Sequence, residues 1–343
     1  MDKKRVLCAL SGGADSSAAA KLLLEEGYEV EGASMFLCLP DCIDDAKKVA
    51  EKLGIRFHPF VLIHTFEQKV IEDFIVTYLR GGTPNPCIEC NKYLKFGKFL
   101  DMALELGFDY IATGHYVRRE FDEKLGRWQL MRSPNREKDQ SYVLYGLTQE
   151  QLAHTLFPVG CMNKSEILDI VHGDGLVSED KPESQDICFI PDGDYAGFIT
   201  RRVGEPPHGD ILLTDGTKLG EHKGLMRYTI GQRKGIGVSY SERLFVVDKR
   251  RRDNTLILGR EDELCRSELT ACELNLVRYA DLPDGFRCTC QTRYHQKDVP
   301  CTLHPLGEGR IRVEFDLPHR AICRGQSVVF YDGNYVVGGG KIE

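Results

Sequence analysis

Two sets of residues in this chain carry groups able to do chemistry. The first is Ala9-Leu10-Ser11-Gly12-Gly13-Ala14-Asp15-Ser16-Ser17. Paired glycines let a backbone approach a ligand with no Cβ in the way. Unpaired N–H groups at the start of a following helix then point at an anion. Ser11, Ser16 and Ser17 add hydroxyl donors, so the stretch predicts a phosphate cradle, one lacking the lysine of the G-x-x-x-x-G-K-[ST] loop. The second set is sulfur. In Asn85-Pro86-Cys87-Ile88-Glu89-Cys90, Asn85 can cap a helix and Pro86 can open it, which puts Cys87 and Cys90 on one face of its first turn. The positive end of that helix is expected to favour a thiolate. Cys188, in Ser184-Gln185-Asp186-Ile187-Cys188-Phe189, stands just ahead of a turn. A structural zinc site would need a second pair at similar spacing, and Cys288-x-Cys290 is too close to supply it. A thioredoxin-like pair would need a strand before its helix, where this chain has a long loop. Sulfur chemistry is the reading these thiols favour.

The elements around them fall into an order. Residues 6–10 form a short apolar run of buried-strand type, and 16–26 read as a helix stopped by Gly27. Up to about residue 115 apolar runs alternate with helical patterns, the mark of a parallel α/β sheet. Ala46, Val49, Ala50 and Leu53 make one helix face, ended by Gly54; Phe66, Val70, Phe74 and Tyr78 make another, ended by Gly81-Gly82. A strand is expected over 55–63, a helix from about 91 to 106, and a strand over 109–113 running into Gly114-His115. Ligands of such sheets bind outside the carboxyl ends of the strands, so residues 11–17, Met35 and Gly114-His115 should share one crevice. A polar hairpin near 120–131 follows, then two short helices opened by capping boxes, Thr148…Gln151 and Asn163…Glu166. After Pro206-Pro207, strand-like alternation takes over, with turn signals at Asp215-Gly216, Asp253-Asn254, Asp284-Gly285 and Asp332-Gly333. The expected architecture is an α/β N-terminal domain over 1–206, Rossmann-like with a parallel sheet, followed by two smaller all-β domains. These are a central one over 207–262 and a barrel-like C-terminal one over 263–343.

Composition adds limits. With 42% hydrophobic and 28% charged residues, the 343-residue chain has the make-up of a globular protein of two or three domains. The apolar run after Met1-Asp2-Lys3-Lys4-Arg5 is too short for a signal-peptide core, and no stretch could span a bilayer, so a cytoplasmic protein without a membrane partner is expected. Thirteen cysteines without a secretion signal argue against a disulfide framework. The net charge of −7 is unevenly spread: residues 223–252 carry nine Lys and Arg against two acids, and Arg287, Arg293, Lys297 and Arg310 follow. Such a face can bind an acidic partner or simply be solvated.

At this point the residues resemble two known patterns. Ser11-Gly12-Gly13-Ala14-Asp15-Ser16 is similar to the pyrophosphatase loop of enzymes that split ATP between the α- and β-phosphates. Over essentially its whole length the chain resembles the tRNA-specific 2-thiouridylases (the MnmA family). The matching stretches include 82–86 leading to Cys90-Asn91-Lys92, Ala112-Thr113-Gly114-His115-Tyr116, Lys138-Asp139-Gln140-Ser141-Tyr142, Leu156-Phe157-Pro158-Val159-Gly160 and Ile187-Cys188-Phe189-Ile190. Later come Gly224-Leu225-Met226, residues 229–235, Thr292-Arg293-Tyr294 and Gly325-Gln326-Ser327. The resemblance implies that Ala9, Leu10, Ser11, Gly12, Gly13, Ala14, Asp15, Ser16, Met35 and Gly114 bind ATP, with Mg²⁺. It implies Cys90 as the catalytic nucleophile and Cys188 as the persulfide carrier, the two ending each cycle as a disulfide. It places the target base at Asn85, Pro86 and Cys87, and tRNA contacts at His115, Lys138, Asp139, Gln140, Arg293, Tyr294 and Gln326. The implied partners are tRNAs for Lys, Glu and Gln and a sulfur donor such as a cysteine desulfurase or sulfur relay protein. One departure stands out, because the family commonly carries Asp where this chain has Cys87. With a third thiol there, a [4Fe–4S] cluster on Cys87, Cys90 and Cys188 competes with a cluster-free persulfide route. Two other readings remain: a different enzyme with the same ATP loop (an amidotransferase-type synthetase or a 4-thiouridine synthase), and a non-catalytic tRNA-binding protein.

Overall fold

The computed structural model describes residues 3–38, 41–177 and 187–343, apart from the side chains of 41 and 42; Ser184, Gln185 and Asp186 of the Cys188 stretch lie outside the described residues. Seven strands among these open the chain: β1 (Arg5–Ala9), β2 (Glu29–Phe36), β3 (Phe57–Val61), β4 (Tyr110–Ala112), β5 (Val117–Asp122), β6 (Arg127–Arg132) and β7 (Thr155–Leu156). β3, β2, β1, β4 and β7 lie side by side in that order, all parallel. Val6, Leu7 and Cys8 are fully buried because helices cover both faces of β1. Strand order reverses at β1, whose neighbours are β2 and β4, the place where sheets of this kind bind ligands beyond their carboxyl ends.

The helices follow the apolar spacing read from the sequence. α1 (Ala14–Glu25) buries Ala18, Ala19, Ala20 and Leu23 and stops at Gly27, whose φ of +90° suits a residue without Cβ. α2 (Asp41–Leu53) buries Ala46, Val49 and Ala50. Both capping boxes form. The thiol-bearing helix differs from expectation. It begins at Pro86, runs to residue 105, and is π-helical over Asn91–Lys98.

The second half makes two further sheets. β8 (Gly209–Leu213), β9 (Lys218–His222), β10 (Phe245–Arg250) and β11 (Thr255–Gly259) pair in the order β10-β11-β8-β9 over a core of Ile211, Val246, Leu256 and Leu258. β12 (Cys265–Leu276), β13 (Phe286–Gln291), β14 (Val299–Gly307), β15 (Arg310–Arg320), β16 (Ser327–Asp332) and β17 (Tyr335–Ile342) close into a six-stranded barrel, order β12-β15-β14-β13-β16-β17 with β17 back on β12. The polar hairpin is not a free flap. β5 and β6 extend the barrel sheet, with Met131 of β6 paired to Tyr335 of β17.

Both β domains also grip the loop ahead of the thiol helix. From the barrel, Gln326 Nε2 donates to Thr83 O (2.9 Å) and Pro84 O (3.2 Å), and Thr83 N donates to Arg324 O at 2.8 Å. From the central domain, the buried Lys249 Nζ donates to Tyr228 O at 2.8 Å and reaches Gly82 O at 3.4 Å. Burial drives that ammonium down to about 8.

Candidate active site

The cradle takes its shape from the backbone upward. Leu10 N donates to Ala33 O as β1 ends, and Gly12 then turns with φ +71°. A Cβ on Gly12 would stand 2.6 Å from Asp45 Cβ and 2.9 Å from Ala46 N, so only glycine fits between the loop and α2. Ser16 Oγ accepts from Ser11 N (3.2 Å) and donates to Gly13 O (3.1 Å), while Ser17 Oγ also donates to Gly13 O. No side-chain hydrogen bond caps α1 at Gly13, among the described residues, which leaves the N–H groups of its first turn for an anion. Asp15 Oδ1 accepts from Tyr116 Oη at 2.6 Å and pairs with Lys164 Nζ at 2.7 Å. Gly114, at the end of β4, lies flat on this loop. A Cβ there would meet Asp15 C at 2.6 Å and Ser16 N at 2.7 Å. Ala9 and the half-buried Met35 pack beside the central core at the same strand ends. The residues of the expected ATP set thus lie at the carboxyl ends of β1, β2 and β4 and on the loop and helix start that follow β1.

The thiols gather next to it. Asn85 stands at the helix start in extended conformation, without a side-chain cap bond, and Pro86 is the first helical residue. Cys87 is exposed, Cys90 is 8% exposed, and Cys188 is exposed on a turn closed by Ile190 N donating to Ile187 O. That turn is anchored by Phe189, whose ring meets Phe66, Phe74 and Phe198 at 5.3–5.6 Å between centroids. Cys87, Cys90 and Cys188 lie within electrostatic reach of one another, and Lys95 opposes the rise of each thiol. The expected thiolate preference at the helix start is not what this environment favours. Burial pushes Cys90 up to about 11, outweighing Lys95, and loss of water around the base of the otherwise exposed Cys87 raises it as well. Cys188 is raised chiefly by a hydrogen bond with Cys38, then by burial.

Lys95 also faces His115, which burial and that cation hold well below its ordinary value, so the imidazole is neutral at pH 7. His115 Nδ1 bonds Thr113 Oγ1 at 2.8 Å, and its ring lies against Phe96. His115 follows Gly114 directly, so Lys95 spans the gap between the nucleotide crevice and the thiols. The sequence did not single out Lys95, Cys38, Lys164 or Tyr116. In an α-helix Lys95 would sit about 140° round the axis from Cys90, five residues earlier. The wider π-helical turns over Asn91–Lys98 allow it to face the same side.

The residues expected to touch RNA are spread further. Asp139, raised by burial, accepts from Ser133 N (2.9 Å) and Ser141 Oγ (2.7 Å); Gln140 Oε1 accepts from Tyr116 N, which ties it to the cradle. Lys138 N closes a turn on Asn135 O. Arg293 Nη2 donates to Ala321 O (2.5 Å) and Ile230 O (3.3 Å), bridging the two β domains. Tyr294, part-exposed, stands 5.9 Å from Tyr142 between centroids, and burial with Asp139 and Cys87 nearby pushes its phenol up to about 12. It brings the barrel to the thiol site, as Gln326 does through Thr83 and Pro84. No three His, Cys, Asp or Glu side chains converge closely enough to hold a single metal ion, among the described residues.

A parallel sheet with an uncapped helix over a Gly-Gly cradle, carrying two β domains, defines a nucleotide-binding α/β protein. Family models agree: a tRNA methyl transferase HUP domain matches residues 4–192, a tRNA methyl transferase PRC-barrel domain 196–260, and an aminomethyltransferase β-barrel domain 266–342. The chain belongs to the tRNA-specific 2-thiouridylase (MnmA) family. Proteins so named from Clostridioides difficile (strain 630) and Moorella thermoacetica are 44% and 47% identical to it, over 99% and 98% of this chain and 98% and 99% of theirs. The relative from Symbiobacterium thermophilum is 46% identical over 99% of this chain and 92% of its own.

Proposed function

We propose that the chain is an ATP-dependent tRNA sulfurtransferase that makes 2-thiouridine at the wobble position. The observation that carries this is the sharing of one cation, Lys95, by three thiols and the residue next to Gly114 of the nucleotide crevice. The family-model descriptions speak of methyl transfer and the relatives' names of thiolation. Thiols beside an ATP cradle suit the second.

The chemistry follows from what a uracil carbonyl lacks. Its C2 oxygen is a poor leaving group, so that oxygen first attacks the α-phosphorus of ATP and pyrophosphate departs. Backbone N–H groups of α1 and the serine hydroxyls would hold the phosphates as charge shifts among them. Mg²⁺ would accompany the nucleotide; such ions are held by phosphates and one or two carboxylates, so an all-protein cage is not required. The terminal sulfur of a Cys188 persulfide then attacks C2 and AMP leaves; Cys90 attacks Cys188 Sγ and breaks the sulfur–sulfur bond, either beforehand, releasing hydrosulfide as the attacking group, or afterwards, releasing the thiocarbonyl, so that Cys90 and Cys188 end as a disulfide. A [4Fe–4S] cluster on Cys87, Cys90 and Cys188 is the competing route, and would supply the sulfur as sulfide at an open iron. Seating of the base beside Asn85, Pro86 and Cys87 and of the stem-loop on the β domains is supported by the basic 223–252 stretch, where Arg233 and Arg243 line a hollow of about 490 Å³. No helix among the described residues is long and apolar enough to cross a membrane. Cytoplasmic tRNAs for Lys, Glu and Gln and a cysteine desulfurase or sulfur relay protein complete the reading.

The test is mass spectrometry of tRNA nucleosides after incubation with ATP and a sulfide or persulfide source. 2-Thiouridine formed with one AMP and one pyrophosphate each is the expected result. Nucleotide turnover that is independent of tRNA, or an unchanged nucleoside profile, would contradict it.

A further inference from the structure

Cys38 lies two residues beyond β2, at the same carboxyl edge of the sheet that carries the cradle. It is exposed, and its thiol is hydrogen-bonded to that of Cys188. Cys90 is 8% exposed, yet the chemistry above leaves it locked to Cys188 at the end of every cycle. A disulfide opens when a thiol reaches one of its sulfurs, and access controls the rate as much as thiol strength does. The disulfide is therefore open to attack on its Cys188 side alone, and Cys38, itself exposed, already touches that sulfur.

We propose that Cys38 is the resolving thiol of the cycle, taking Cys188 from Cys90 by disulfide exchange and passing the oxidation to an external dithiol. This rests on the functional reading above. Cys38 gives up its proton and attacks Cys188 Sγ; the bond between Cys38 and Cys188 forms as that between Cys188 and Cys90 breaks. Cys90 leaves as a thiolate beside Lys95 and takes up a proton, so the number of disulfides is unchanged. A dithiol, small or carried on a redox protein, then opens the Cys38–Cys188 bond while its own two thiols become a disulfide.

Limited oxidation of the full chain with one equivalent of diamide, followed by blocking with N-ethylmaleimide and non-reducing peptide mapping, reads the pairing without any turnover. The expected wild-type map contains a Cys38–Cys188 link; Cys38→Ser should give Cys90–Cys188 in its place. In steady-state thiolation driven by a dithiol redox protein, Cys38→Ser should slow turnover at least about fivefold, and a small phosphine reductant should restore it. Absence of the Cys38–Cys188 link, or wild-type turnover of Cys38→Ser with the dithiol protein, would overturn the assignment. A wild-type chain that forms the link but no thiolated nucleoside would count against the functional reading and not against the pairing.

Discussion

Gly114→Ala tests the crevice where it is tightest. The added Cβ would stand 2.6 Å from Asp15 C, 2.7 Å from Ser16 N and 2.8 Å from Asp15 O, all backbone atoms of the cradle and the first turn of α1. Ordinary contact begins at 3.4 Å, so loop and strand end must part by about 0.8 Å. Overpacking of this kind costs about 1–3 kcal/mol, and a misplacement near 1 Å at a reacting centre costs on the order of 100-fold in rate. tRNA-dependent release of pyrophosphate, measured as kcat/KM for ATP, should therefore fall about 30- to 100-fold. Thermal melting gives the stability loss separately. Gly146→Ala is the control, since nothing lies within 4 Å of a Cβ there. A Gly114→Ala enzyme within threefold of wild type would refute the claim that this contact fixes the cradle.

Three other perturbations probe the thiols and the clamps. Cys90→Ala and Cys188→Ala should each abolish 2-thiouridine while a filter-binding assay finds tRNA affinity retained; thiolation surviving in either removes that residue from the mechanism. Lys249→Met probes the buried ammonium. Its drop from 10.5 to about 8 corresponds to roughly 3 kcal/mol of penalty in the folded state. The unfolded chain binds the extra proton between those values, so wild-type stability should rise with pH from about 8 to 10.5 relative to the variant, read by denaturant melts. Parallel pH profiles would show that the site is wetter than its burial implies. Arg293→Ala, which loses donors to Ala321 O and Ile230 O, should weaken tRNA binding, flatten its salt dependence, and lower the melting midpoint; unchanged affinity would make it a structural bridge alone.

Much of this was legible because it depends on local spacing. Gly12 and Gly13 between serines, the run of Val6, Leu7 and Cys8, and the faces of α1 and α2 each specify their element by period and by turn chemistry. Cys87, Cys90 and Cys188 could be named as a set only because each stands beside a recognisable turn or cap. Their protonation could not be read that way. Burial of Cys90 beneath neighbouring helices is a tertiary effect, and it outweighs the helix start that the sequence pointed to. Lys95 escaped notice because π-helical winding over Asn91–Lys98 leaves no mark in residue spacing. Cys38 escaped because nothing local joins a residue after β2 to one 150 positions later. Gln326 and Arg293 looked like nucleic-acid contacts, and their side chains also hold parts of the protein together.

The hairpin that β5 and β6 lend to the barrel changes what counts as a separable piece. Arg132 of β6 is 5% exposed, makes a two-pronged bond to Asp298 with both distances 2.8 Å, and covers the ring of Tyr331. A chain cut after residue 206 would keep the guanidinium and lose its carboxylate, and β6 would present a bare rim to its neighbours. Such a fragment should clump, not fold, although its first half contains the whole nucleotide sheet. Boundaries that suit inheritance of modules therefore do not mark units able to stand alone here.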